Sequence, residues 1–457
     1  MAATTMEYRR LGRTELQVSA VAVGTCQLRR VTKTAAIDTL LHAFELGVNL
    51  VHTAPDYEGA DDLVATAVAR TNRHVIVASQ GYDVYYNSRG RVLNFESLFE
   101  STCKKLKADR LDLFGIACVD DREAFRENVW GRRGMVEFLQ RMKAKGRLGG
   151  IYCTTHGNPE YIGKLIESGA FDAVMLAYND LGFHLLSVSP PPGRHFEDIP
   201  RTGTEVFPLA AQHDVGVMVM KPFAGGLLCP SKAFPPGDVG ASPAAPQVAA
   251  GDILKSILSH SQVACVVPGT ASIEEADENA RAGHDAGSLL PGARQALAGR
   301  VDALRASLCS RCGACEPSCS QRLPIAMMFR AAYVALHPAE SFETWEQAEY
   351  FHMQPRAEST CATCPDVSCA CPAGIDIPKT LVRLNGRMVD LMARGGVTPP
   401  KSANGSKTWR GLPHASSRER CRQNCGPEDR TPAGYSWRTP AFAPGTRPER
   451  STVRSFG

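Results

Sequence analysis

Between residues 17 and 283, short unbroken apolar runs alternate with longer stretches of helical period. The runs are VSAVAVGT (18–25), VNLVHT (48–53), HVIVAS (74–79), LDLFGIA (111–117), GIYCTT (150–155), DAVMLAY (172–178), VGVMVM (215–220) and ACVVPG (264–269). Continuous Val, Ile and Leu suit strands covered on both faces, as in a parallel sheet. Segments such as TAAIDTLLHAFELG (34–47) and MVEFLQRMKAKG (135–146) space their apolar residues as one face of a helix. Eight βα units over about 250 residues predict an α/β fold of the (β/α)8 TIM-barrel type. The rival is a doubly wound open sheet, but no G-x-G-x-x-G follows the first run.

Beyond the barrel pattern, residues 289–308 read as a helix, and PIAMMFRAAYVAL (324–336) as another. The segments 183–204 and 229–250 are rich in Pro, Gly, Ser and Ala and fall after strands six and seven, where long loops cover a barrel's active face. The last 61 residues, 397–457, hold eight prolines and little apolar periodicity, which predicts a disordered tail. The resulting division is a barrel over 1–288, a small mainly helical cysteine-rich domain over 289–396, and the tail over 397–457.

Charge changes this picture little. The net charge is +4, but the tail alone carries eleven Lys/Arg against four Asp/Glu, so the rest of the chain is near −3. The folded part therefore gives no sign of nucleic-acid binding. Nothing at the start resembles a secretory signal, and no stretch approaches the roughly 18–20 apolar residues that span a bilayer. The expected address is cytoplasmic, with no membrane span.

The cysteines carry the clearest chemistry. Of sixteen, eight fall in two groups over 309–319 and 361–371. Grouped cysteines in a reducing compartment point to metal or cluster ligation rather than disulfides. Cys309, Cys312, Cys315 and Cys319 form C-x2-C-x2-C-x3-C, a spacing that wraps three thiolates around one face of a [4Fe-4S] cubane and lends the fourth to a second cluster. The second group is Cys361, Cys364, Cys369 and Cys371, the last followed by Pro372. It departs from the pattern, because Val367 stands where the third cysteine is expected. If the groups interleave, Cys309, Cys312, Cys315 and Cys371 hold one cluster, and Cys361, Cys364, Cys369 and Cys319 hold the other. The alternative is zinc, which generally pairs two C-x2-C knuckles. Cys26, Cys118, Cys153, Cys229 and Cys265 lie in or at the ends of strands and read as buried structural thiols. Cys421 and Cys425, in the tail, read as surface thiols.

Several motifs resemble the aldo-keto reductase family. MEYRRLGRTELQVSAVAVGT looks like its N-terminal hairpin and first strand, GVNLVHTAPDY like its second-strand motif, and VPGTASIEEADEN like its nucleotide-binding end. VMKPFAGGLL and the cysteine groups are similar to the subgroup with a C-terminal four-iron ferredoxin-type domain. The resemblance covers about residues 6–390 and implies an oxidoreductase that uses a nicotinamide hydride and a tetrad of Asp, Tyr, Lys and His. The tyrosine position is Tyr57. The other three positions hold His52, Gln80 and Ala117, so three of four members are changed.

Without a lysine beside it, Tyr57 is expected near its ordinary pKa of about 10. His52 reads either as a proton relay to it, since imidazole titrates near neutrality, or as a neutral barrel-mouth histidine with no chemistry. Tyr57 and His52 are therefore the candidate catalytic residues. The resemblance also implies cofactor contacts, unless the residues concerned are retained scaffold, since helix caps and turns also use Thr, Asn and Gly. Thr154 and Asn179 match positions that hold the nicotinamide amide, and Thr270, Glu278 and Asn279 match the adenosine end. Lys221, ending strand seven, faces the mouth with these contacts, and His156 lies just beyond strand five. Glu275 stands where many members place an arginine for the 2′-phosphate, so NAD(H) is the dinucleotide favoured over NADPH. Met175 replaces a usual glutamine.

Two readings follow, beside a third in which the clusters only brace the C-terminal domain, as structural metals do. One is an iron–sulfur oxidoreductase in which redox chemistry on a small-molecule substrate at the barrel mouth is coupled to electron transfer through two [4Fe-4S] clusters, with a redox protein as partner, and not ordinary NADPH carbonyl reduction. The other is an inactive barrel that serves as docking scaffold for a ferredoxin-like electron-transfer module.

Overall fold

The computed structural model describes residues 5–394 apart from 58, 83, 87–91, 120–125, 157–158, 182–204, 227, 230–245, 247, 285, 287–288, 310–311, 337–349, 352, 355–357 and 373. The tail and most of both proline-rich loops lie outside the described residues.

The chain opens with a hairpin, β1 (Tyr8–Arg10) paired antiparallel with β2 (Gln17–Ser19). Eight parallel strands follow: β3 (Val23–Gly24), β4 (Leu50–His52), β5 (Ile76–Gly81), β8 (Leu111–Ile116), β9 (Leu148–Thr155), β10 (Ala173–Ala177), β11 (Gly216–Met220) and β12 (Val263–Val267). Each coincides with one of the eight apolar runs, β5, β9 and β12 reaching one or two residues beyond it. Between β5 and β8 a small antiparallel pair intervenes, β6 (Val84–Tyr86) with β7 (Val92–Asn94).

The helices are α1 (Lys33–Glu45), α2 (Ala60–Arg70), α3 (Phe95–Leu106), α4 (Arg126–Trp130), α5 (Met135–Ala144), α6 (Pro159–Glu167), α7 (Val206–Gln212), α8 (Ala250–Leu258) and α9 (Ile273–His284). They start where local chemistry allows: Thr32 accepts the Ala35 amide at the head of α1, and Asn94 accepts that of Ser97 at the head of α3.

The sheet closes between its first and last strands. Ala22 N donates to Val266 O at 2.8 Å, and Gly24 N donates to Pro268 O at 2.9 Å. Closure explains Gly24, because a Cβ there would stand 2.8 Å from the Pro268 carbonyl oxygen. Alternation along the strands then divides the apolar residues. Leu50, Ile76, Ala78, Leu113, Tyr152, Met175 and Met218 fill the barrel interior. Phe114, Ile151, Val174, Val217 and Val266 face the helices and pack with Phe99 and Phe138. Gly115 is needed inside: a side chain there would meet the Tyr152 ring at 2.7 Å.

After the barrel come α10 (Pro291–Ser307), α11 (Ile325–Leu336) and α12 (Ile377–Arg394). Pro291 occupies the first helical turn of α10, where its missing N–H costs nothing. These helices share one apolar cluster with the loops above β10 and β11, in which Leu181, Ala224 and Leu228 pack with Leu297, Phe329 and Met388. Among the described residues no helix is long and apolar enough to cross a membrane.

Candidate functional site

Two sites emerge, one at the C-terminal ends of the barrel strands and one among the cysteines.

At the barrel mouth, parallel register sets His52 at the end of β4 beside Ala78, and Gln80 on β5 beside Gly115. Tyr57 lies in the turn after β4. Its ring and the imidazole of His52 meet edge to face at 6.0 Å, and Tyr152 approaches His52 from within the barrel at 6.3 Å. The Tyr152 hydroxyl donates to Ser79 O at 2.9 Å.

His52 is only 4% exposed, and burial lowers its pKa to about 4. The nearby Gln80 amide opposes this shift weakly. Neither His52 Nε2 nor Gln80 Oε1 completes a well-formed hydrogen bond. The expected titration of His52 near neutrality is therefore corrected: at pH 7 it is a neutral imidazole. The expectation for Tyr57 is corrected too. Its phenol is pushed well above the ordinary value, first by burial and then by the negative charge of Asp56 and the Cys26 and Cys118 thiols. Losing the lysine does more than leave the phenol unperturbed, because low-dielectric surroundings penalise the phenolate.

The mouth also holds groups the sequence did not single out. The Tyr82 hydroxyl donates to the Asp56 carboxylate. The protein around the recess raises the Asp56 carboxyl, although its surface is open to water, which tempers the shift. Cys26 and Cys118, expected to be buried, are half-exposed. Asp56 was visible inside the HTAPDY motif, but nothing in the sequence brings Tyr82, Cys26 and Cys118 to it. Cys118 and Lys221 both take left-handed backbone, with φ of 54° and 59°, at the mouth ends of β8 and β11.

Of the residues expected to hold a dinucleotide, Thr154, Asn179, Lys221 and Thr270 lie at or just past strand ends and Glu278 and Asn279 on α9. The side chains of Thr154, Asn179, Thr270, Glu278 and Asn279 bond within the protein as follows. Thr154 Oγ1 accepts the Cys118 amide at 2.9 Å. Asn179 Nδ2 donates to Lys221 O at 3.3 Å, and its Oδ1 accepts the Leu181 amide at 3.1 Å. Asn279 Nδ2 donates to Thr270 Oγ1 at 3.1 Å. Glu278 Oε1 accepts the Ala250 amide at the head of α8, at 3.0 Å. Glu275 accepts the Ala271 amide while its own N–H donates to Ser272 Oγ, so both bonds tie off the head of α9. Met175 is buried in the barrel interior.

The cysteine region is held by polar bonds between its two groups. Ser320 Oγ donates to Asp366 O at 2.8 Å, and Ser368 Oγ donates to Ser318 O at 2.6 Å. These bonds hold the loop that bears Cys319 against the loop of the second group. A buried amide network holds that group from behind: Gln354 Nε2 donates to Asn385 Oδ1 of α12 at 2.8 Å, and Gln354 Oε1 accepts the Thr360 amide at 2.9 Å. Ser359 Oγ accepts the Cys361 amide.

Thiol electrostatics reports the same grouping. Burial pushes Cys361 up to about 11, helped by Cys369, Cys319 and Cys364. Cys369 is raised by burial and then by Cys319. Cys315 is pushed up to about 12 by burial, then by Cys309, Glu316 and Cys312. Buried, mutually repelling thiols suit a cationic iron–sulfur core, which would favour the thiolate form. Among the described residues no three His, Cys, Asp or Glu side chains converge as ligands of one metal ion.

A closed eight-stranded parallel barrel with polar groups gathered at the strand C-termini defines a TIM-barrel protein. Residues 20–244 match the model of the Aldo/keto reductase family, a family of oxidoreductases. The chain is similar to the NADH-specific methylglyoxal reductase of Escherichia coli, 22% identical over 238 residues, covering 48% of this chain and 68% of that protein. It is similar to the L-galactose dehydrogenase of Arabidopsis thaliana, 25% identical over 309 residues, covering 61% of this chain and 88% of that one. In fold it resembles an aldo-keto reductase from Bacillus halodurans in its holo form, with TM-score 0.50 and 20% identity, covering 65% of this chain and 96% of that one.

Proposed function

We propose that the chain is an iron–sulfur oxidoreductase whose barrel mouth binds a small-molecule substrate and whose cysteine domain carries electrons between that mouth and a redox protein. The observation that carries this reading is the company of Cys319. Cys319 lies near enough to Cys361 and Cys369 to raise both thiols, which supports its serving the second set as the fourth cysteine of a two-cluster module would. By the same logic Cys371 completes the first set. Bound [4Fe-4S] clusters supply one-electron transfer. Around them the chain's own residues act: Ser318, Ser320 and Ser368 hold the two cysteine loops in register, and Gln354 with Asn385 fixes the turn that bears Cys361.

At the mouth, Tyr57 keeps its proton up to strongly alkaline pH, so it donates a hydrogen bond or a proton to substrate oxygen. His52 is neutral and orients the phenol from its edge. Ordinary NADPH-dependent aldehyde reduction is weak, since no lysine or histidine tunes the phenol. The test is turnover measured with a redox dye on anaerobically purified protein, in parallel with iron and sulfide content. Intact, reducible clusters in a chain that turns over no substrate would favour the second reading, a barrel that only docks the electron carrier.

A further inference from the structure

We infer that the C-terminal helices have taken the place of the nicotinamide dinucleotide above the seventh and eighth barrel strands, and that this chain binds neither NAD(H) nor NADP(H) there. The inference rests in part on the proposed function, which needs another route for electrons. On TIM barrels the loops after strands seven and eight commonly build the phosphate site. Here the loop after β11 is covered. Ala224 and Leu228 are buried in one apolar cluster with Leu297, Val301 and Leu304 of α10 and Phe329 of α11.

The cover is anchored by a specific bond. Arg300 of α10 is 3% exposed, and its Nε donates to the Leu228 carbonyl oxygen at 2.6 Å. Gly299, one residue earlier, lets the helix lie flush against the segment before α8, since a Cβ there would stand 3.1 Å from Pro246. An exposed helix position would rarely keep glycine, which costs about 1 kcal/mol relative to alanine.

After β12 the polar groups that would meet a nucleotide are engaged elsewhere. Thr270 and Asn279 bond each other, Glu278 caps α8, and Glu275 caps α9. Below them, Asn179 is committed to Lys221 and Leu181. A dinucleotide would have to break these bonds and lift α10 from the Leu228 loop. A buried guanidinium that loses its partner is expensive to leave unpaired, so the cover is not displaced by a ligand of ordinary affinity.

The experiment uses the full chain, purified anaerobically. NADH and NADPH are titrated separately by calorimetry up to about 1 mM. Hydrogen exchange is followed with and without each nucleotide, and iron and sulfide are assayed on the same sample. The expected result is no saturable binding, with slow exchange in the segment carrying Leu228 that nucleotide leaves unchanged. Saturable binding of either nucleotide overturns the inference. So does absence of binding with fast exchange at Leu228, because the loop would then be uncovered. The iron and sulfide values report on the cluster reading alone: a chain without them that still excludes nucleotide upholds this inference while sinking the other.

Discussion

The imidazole of His52 stands edge-on to the phenol of Tyr57, ring centroids 6.0 Å apart, with His52 almost wholly buried. Both members are held in their neutral forms by the barrel. Burial lowers the imidazole to about 4 and raises the phenol far above its usual range.

The first consequence is a pH dependence of stability. In the unfolded chain His52 takes up a proton near pH 6.5, whereas in the folded chain it does so only near 4. Between these values the unfolded state binds more protons, so stability falls as pH falls. The loss from this residue reaches about 3 kcal/mol by pH 4. Urea unfolding of wild type and His52→Asn, compared at pH 7 and pH 4.5, checks it: the wild type should lose more stability than the variant over that interval. Parallel losses would remove His52 as the cause.

A second expectation concerns Tyr57. The Tyr57→Phe change keeps the ring and its edge contact with His52 but removes the hydroxyl. Dye-linked turnover should drop about 100- to 10,000-fold, while the melting temperature barely moves. Equal activity in the two proteins would place the chemistry elsewhere.

The cysteine grouping predicts asymmetric losses. Wild-type protein should hold about eight irons and eight sulfides per chain. Cys319→Ser should lower both toward about four, and the remaining cluster should be the one expected at Cys309, Cys312 and Cys315. A variant that loses all its iron, or none, is inconsistent with interleaved ligands. Zinc without sulfide in the wild type would end the reading.

Inside the barrel, Gly115→Ala puts a methyl 2.7 Å from the Tyr152 ring. Tyr152 is fully buried and tied to Ser79 O, so it has little room to give. Overpacking of this kind costs about 1–3 kcal/mol, read as a lowered denaturation midpoint. Gly146→Ala, where the open surface offers no clash, is a control for space alone, although its φ of 72° adds backbone strain.

Much of this molecule could be read along the chain. Eight apolar runs became eight strands because a strand covered on both faces needs continuous apolar sequence. The helix expected over 324–336 is present as Ile325–Leu336. The C-x2-C-x2-C-x3-C spacing leads to the expectation that Cys319 serves a second cluster, and the serines on either side of it bond to the loop of the second cysteine group.

What the chain order could not disclose is how neighbours distant in sequence share their polar atoms. Asn179 and Thr270 read as cofactor contacts, yet Lys221 and Asn279 claim them once the strand ends converge. His52 reads as a neutral-pH relay, and only the packing of Tyr57 and Tyr152 around it withdraws the water that would have kept its charge. Sequence alone determined the periodicity, the barrel and the cysteine spacing, because these depend on local geometry. Tertiary structure alone decided the protonation states and the covering of the Leu228 loop by Arg300, because desolvation and hydrogen-bond competition exist only where distant segments meet.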